Sequence, residues 1–204
     1  MNRRTYLAAL PLVASATAGC LGSVGSPPFS DSHPDRSVAL SAVDSLPDDI
    51  GFTVDAAVSV SDVTERHPAE VVLTATNEGQ RRDVSVGTEM CHPFDRSDGR
   101  SENGGLWLYP ADDEPDDRVE GRWEYDADGP VGYPAYGCTG RTWDAGEFRE
   151  YVYAVWDDFE TEGYHEPGTY RWEHLVTVAP PESHLDGEAT AEATWAFELT
   201  VEDA

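Results

Sequence analysis

The sequence has no lysine. All 13 basic residues are arginine, set against 40 Asp and Glu, and the formal charge is −27. A surface that acidic repels phosphate, which excludes nucleic acid as a partner. No apolar run is long enough to cross a bilayer as a helix in the mature chain. No long stretch repeats its apolar residues at 3.6, so an amphipathic helix is not expected either. G-x-S-x-G, H-E-x-x-H, P-loop and dinucleotide-binding glycine patterns are all missing. Neither catalysis nor a cofactor is therefore expected.

What is present begins with charge. Self-repulsion on this scale penalises a compact chain in dilute salt. In molar salt the screening length shrinks to about 3 Å and most of the penalty disappears. Dense carboxylates without lysine resemble the proteins of extremely halophilic archaea. An acidic chain can also stay unfolded, but six Trp, nine Tyr and six Phe in alternating patterns argue for a folded, salt-adapted domain.

The first twenty residues carry an address. Asn2-Arg3-Arg4-Thr5-Tyr6-Leu7 resembles the twin-arginine export motif, with Arg3 and Arg4 as the signal pair. An apolar stretch from Tyr6 to Ala18 suits a signal h-region, and Thr17-Ala18-Gly19-Cys20 resembles a lipobox. The resemblance implies removal of residues 1–19, lipidation of Cys20 and tethering to the outer face of the cell membrane. A diacyl-type anchor is implied, because a single chain holds only marginally. Residues 20–48, rich in Ser, Pro, Gly and Asp, are expected to be a flexible tether, with the folded domain occupying 49–204.

From Gly51 the apolar period becomes 2. Phe52, Val54, Ala56, Val58 and Val60 share a face, and Val71, Leu73 and Ala75 alternate up to a turn at Asn77-Glu78-Gly79, with Val84 and Val86 beyond it. Leu106 to Tyr109 is a short apolar strand. The next, from Phe148 to Trp156, is expected to be buried on both sides, and strands over 170–178 and 191–201 follow. About seven strands punctuated by Gly, Pro and Asp turns predict an all-β antiparallel sandwich. Glu166-Pro167-Gly168-Thr169-Tyr170, Trp143-Asp144-Ala145-Gly146-Glu147 and Val72-Leu73-Thr74-Ala75-Thr76-Asn77 resemble strand and turn signals of immunoglobulin-like domains in surface lipoproteins. Together they are similar to the intracellular proteinase inhibitor domain of bacilli and to haloarchaeal lipoproteins. The resemblance implies an immunoglobulin-like sandwich with a long loop insertion.

Once Cys20 is lipidated, Cys91 and Cys138 remain. An exported pair reads as a disulfide, closing a 47-residue span and stabilising by roughly 4 kcal/mol in the chain-entropy view. Free thiols, or a metal pair with His92, are the alternatives. Met90-Cys91-His92 lacks the ligand order of a blue-copper loop. Glu124-Tyr125-Asp126-Ala127-Asp128-Gly129 resembles half a calcium loop, but the twelfth position is Ala135. Asp112-Asp113-Glu114 with Asp116-Asp117 reads as a solvated acidic run, so no metal site is expected. His174 reads as a satisfied core or rim residue, and His165 as a loop residue. Trp107, Tyr109, Trp123, Tyr133 and Tyr136, in or beside the 98–146 insertion, are a candidate binding surface for a surface protein or polysaccharide. The competing expectation is a local aromatic core holding that loop shut. The overall expectation is a non-enzymatic binding module. An extracellular protease inhibitor and a hydrolase or metal enzyme with an unrecognised site are the alternatives.

Overall fold

The computed structural model describes residues 35–86, 92–94, 96–126, 141–183 and 189–204. Ten strands lie among them: β1 (Arg36–Val43), β2 (Phe52–Val60), β3 (Asp62–Val63), β4 (Ala69–Asn77), β5 (Arg82–Val86), β6 (Leu106–Pro110), β7 (Arg141–Trp143), β8 (Phe148–Asp157), β9 (Gly168–Ala179) and β10 (Ala191–Asp203). Every pairing is antiparallel, in two sheets ordered β3-β1-β10-β9-β5-β7 and β2-β4-β8-β6. The second sheet follows the A-B-E-D order of an immunoglobulin-like sandwich, with β5, β9 and β10 as its C, F and G strands.

The alternation that predicted the strands also builds the core. Val71, Leu73 and Ala75 of β4, with Tyr153 and Val155 of β8, face Trp172, Val176 and Val178 of β9 and Trp195, Phe197 and Leu199 of β10. Trp172 stacks on Phe197 with ring centres 5.2 Å apart. Period-2 alternation directs these residues to one side of each sheet.

Two local motifs are fixed by hydrogen bonds. Asn77 is fully buried, and its side-chain amide donates to the carbonyls of Gln80, Trp143 and Asp144 while its Oδ1 accepts from Gly79 N–H. One asparagine thus joins the β4–β5 turn to the β7–β8 turn. At the start of β9, Tyr170 donates its hydroxyl proton to Glu166 O at 2.6 Å, the back-bond of a tyrosine corner.

Two expectations need correction. Residues 36–43 are not tether: they form β1, paired with β10 from Arg36↔Asp203 to Val43↔Phe197. Ile50, at the end of a 3-10 turn, is also buried. The folded domain therefore reaches back beyond residue 49, because Val38 has a hydrophobic slot beside Val201 that the polar flanks concealed. Strand β8 is not buried on both sides throughout. Residues 153–157 are, whereas Phe148 and Val152 on its outer face remain 63% and 37% exposed.

Candidate functional site

Strand β8 ends at Asp157 and Asp158 follows it, both almost inaccessible to solvent. Burial alone would raise the Asp158 carboxyl pKa. Hydrogen bonds from Thr161 Oγ1, Gly105 N–H, Glu160 N–H and Arg100 Nε reverse that, holding the group below its ordinary value. Asp158 is thereby the pin of the β8–β9 turn and of the glycine pair before β6.

Asp157 is in a different situation. Its Oδ1 accepts the His165 N–H at 2.5 Å, and the nearest arginine nitrogen, Arg122 Nη2, is 3.9 Å from Oδ2. Burial is the main cause that lifts its pKa to about 7. The His165 N–H and Arg122 oppose the rise, while the charges of Glu124 and Asp158 add to it. His165 is fully enclosed, and burial drives its pKa down to about 4 despite a contact of Nε2 with Val155 O at 3.3 Å. Its carbonyl accepts from Arg36 Nε at 2.8 Å, which ties the β8–β9 loop to β1.

The 118–126 segment closes over this group. Arg122 donates to Gly163 O and lies 4.6 Å from the centre of the Tyr164 ring. The Tyr164 hydroxyl accepts from Trp123 N–H, and Trp123 Nε1 donates to Thr64 O.

Beside Asp157 is a cleft of about 190 Å³ whose lining includes Gly104, Gly105, Tyr164, Glu166 and Tyr170. Gly105 has φ +94°, and a Cβ there would meet the Tyr170 ring at 2.7 Å. Only glycine lets the backbone approach the tyrosine so closely. The hydroxyls around the cleft are engaged in structural bonds, Thr161 to Asp158 and Tyr170 to Glu166 O. Asp157, Glu162 and Glu166 give the lining an acidic character.

The aromatic residues singled out in the sequence have a different place. Trp107 and Tyr109 are 4% and 7% exposed. They stack at 5.9 Å, and with Ala154 and Trp156 they make a small second core, with Trp123 and Phe159 packed on its flank. The expected binding surface is therefore corrected for Trp107 and Tyr109: they are buried in this second core, and Trp123 is half-buried. The local-core alternative describes them. They cover the outer side of β6 and β8, where a bare apolar sheet face would otherwise meet water.

Tyr133, Tyr136, Cys91, Cys138, Cys20, Arg3 and Arg4 lie outside the described residues, as do Ala127, Asp128 and Gly129 of the calcium-like run. Glu124 of that run ion-pairs with Arg122 at 3.1 Å, and Glu114 of the other acidic run accepts from Trp156 Nε1 at 2.9 Å. His174 stacks on Phe94 at 4.2 Å, and burial lowers its pKa. Among the described residues, no three His, Cys, Asp or Glu side chains converge to hold a metal, and no helix is long and apolar enough to cross a membrane.

The residues missed in the sequence are Asp157, Asp158 and His165. The one signal for the aspartates is an acidic pair placed immediately after an apolar strand segment, Tyr153-Ala154-Val155-Trp156. For His165 there is no comparable signal. No family model, curated protein or solved structure matches this chain.

Proposed function

We propose that this chain is a non-enzymatic, salt-adapted binding module of a cell surface, exported by the Arg3-Arg4 signal and held on the outer face of the membrane by lipid on Cys20. The membrane is then one partner, through the anchor, and the ligand is met by the loop end of the sandwich. One observation supports binding over catalysis. The hydroxyls of Thr161 and Tyr170 beside the cleft are locked into structural bonds and Asp158 accepts four, so the one uncommitted carboxylate oxygen, Asp157 Oδ2, has neither of those hydroxyls free to activate. A catalytic base or nucleophile needs a free partner within reach of the substrate. Loops at one end of a rigid sandwich are the usual place for recognition.

The test has two arms. Cys20→Ser should release the mature domain into the medium or leave an unprocessed precursor; a processed, fully membrane-bound variant rejects the anchor. Capture on intact cells in high salt, with the purified domain as bait, should return a surface protein or polysaccharide lost on mutation at the cleft. Turnover of a substrate by the purified domain, or stoichiometric inhibition of a co-purified protease, would replace the binding reading.

A further inference from the structure

The cleft beside Asp157 has an excess of hydrogen-bond acceptors. Asp157 has a side chain only 5% exposed, and its Oδ1 is occupied by the His165 N–H. Oδ2 accepts no hydrogen bond; Arg122 Nη2, 3.9 Å away, instead donates to Gly163 O. Asn103 donates one amide N–H to Thr169 O, and Tyr170 spends its proton on Glu166 O. Glu162 and Glu166 are exposed at the rim. The hydroxyl protons of Thr161 and Tyr170 are committed, and the buried Asp157 Oδ2 is not.

We infer that this cleft binds an organic cation that carries N–H donors, a primary ammonium or guanidinium head group. This rests on the binding-module reading and gives it a ligand class. An anion would face three carboxylates. A bare metal ion lacks a converging set of ligands, since no three acidic or histidine side chains come together among the described residues. The volume of about 190 Å³ suits a head group and is too small for a drug-sized molecule. A guanidinium is already accepted at this wall, where Arg122 lies over the Tyr164 ring. In molar salt long-range attraction is screened. Selectivity then falls to the short charge-assisted hydrogen bond that Asp157 offers inside the fold.

The charged and titratable groups around Asp157 are Arg122, Glu124, Tyr164 and Tyr170 with the neighbouring Asp158 and His165, and Arg36 of β1 acts on His165. With its pKa lifted to about 7, Asp157 gains its charge as pH rises from about 6 to about 8, and affinity for the cation should rise over the same window.

The experiment is calorimetric or NMR titration of the mature protein in molar KCl with ethylammonium, methylguanidinium, tetramethylammonium, and a short peptide bearing one Lys or Arg. Saturable binding of ethylammonium or methylguanidinium, stronger than tetramethylammonium, is expected. Asp157→Asn keeps an oxygen for the His165 N–H but removes the charge, and should weaken binding about tenfold or more. Glu166→Gln should weaken it less. Tighter binding of the peptide than of the free cation assigns the ligand to a partner's side chain; the reverse assigns it to a small solute. No saturation, equal binding of tetramethylammonium, or unchanged affinity in a folded Asp157→Asn protein overturns the inference. If Asp157→Asn does not fold, unchanged affinity in Glu166→Gln overturns it. Surface capture that persists while the free cations fail sinks this site alone, and failure of both sinks the binding module too.

Discussion

Asp157 and His165 make opposite demands on the proton. The folded state holds Asp157's proton more tightly than the unfolded chain does, about 7 against an ordinary 3.8. Its contribution to stability is therefore lost as pH rises from about 4 to about 7. His165 is held less tightly, about 4 against 6.5, so its contribution is lost as pH falls through that interval. Between about 4 and 6.5 the two slopes oppose each other. Above about 6.5 only Asp157 acts, and stability declines until its charge is fully formed. Asp157→Asn should therefore melt higher than wild type at pH 8, by a few degrees for about 1–3 kcal/mol of relieved burial. It should also lose stability on acidification below about 6.5, where His165 is no longer offset. Melts at constant salt across this range test both limbs, and parallel curves for the two proteins would reject the account. The sequence signalled only an acidic pair after an apolar strand segment; the opposite demands of Asp157 and His165 arise when the β8–β9 loop folds back, which no local pattern announces.

At the scale of elements, legibility follows the length of uninterrupted alternation. Strand β10 shows it from Ala191 to Val201, with Thr and Glu opposite, and its inward residues are the core. The motif turns were legible as well, because Asn77 and Tyr170 each close a short chain loop that local sequence specifies. Strand β1 was hidden: Val38 and Leu40 alternate too briefly among Ser, Ala and Asp to stand out from a linker. It is nonetheless part of the sheet. A chain beginning at Asp35 should fold with the stability of the mature protein, whereas one beginning at Asp44 should lose it by tens of degrees or fail to fold. Equal melting of the two would show that the pairing of β1 with β10 contributes nothing. The second core makes a matching prediction. Trp107→Ala should cost about 3–5 kcal/mol in chemical denaturation, with the loss appearing as stability and not as a selective loss of ligand.

For the whole molecule the governing quantity is charge. Described ion pairs concentrate several carboxylates on single arginines; Arg171 alone has Asp44, Glu102, Glu173 and Glu198 within 4 Å. With so few cations, most acids among the described residues have no arginine within 4 Å. Melting temperature should climb steeply from dilute to multi-molar KCl, and a flat profile would contradict salt adaptation. The Cys91–Cys138 bond, a proposal from composition and compartment, is tested on the same sample. The intact mass of the mature protein should fall two hydrogens short of the reduced chain, and two native alkylatable thiols would reject the bond.

The backbone of Ala204 donates to Asp35 O at 3.2 Å, so the first and last described residues of the sandwich are neighbours. The fold is consequently almost a ring. A short linker from Ala204 to Asp35 would complete it without disturbing the register of β1 on β10, and the ring could be reopened at the exposed Asp116–Asp117 bend. Such a circular permutant would attach its anchor through a different loop, while β1 and the Arg36 link to the His165 loop stay in place. Moving the point of attachment in this way would separate what the molecule recognises from how it is presented.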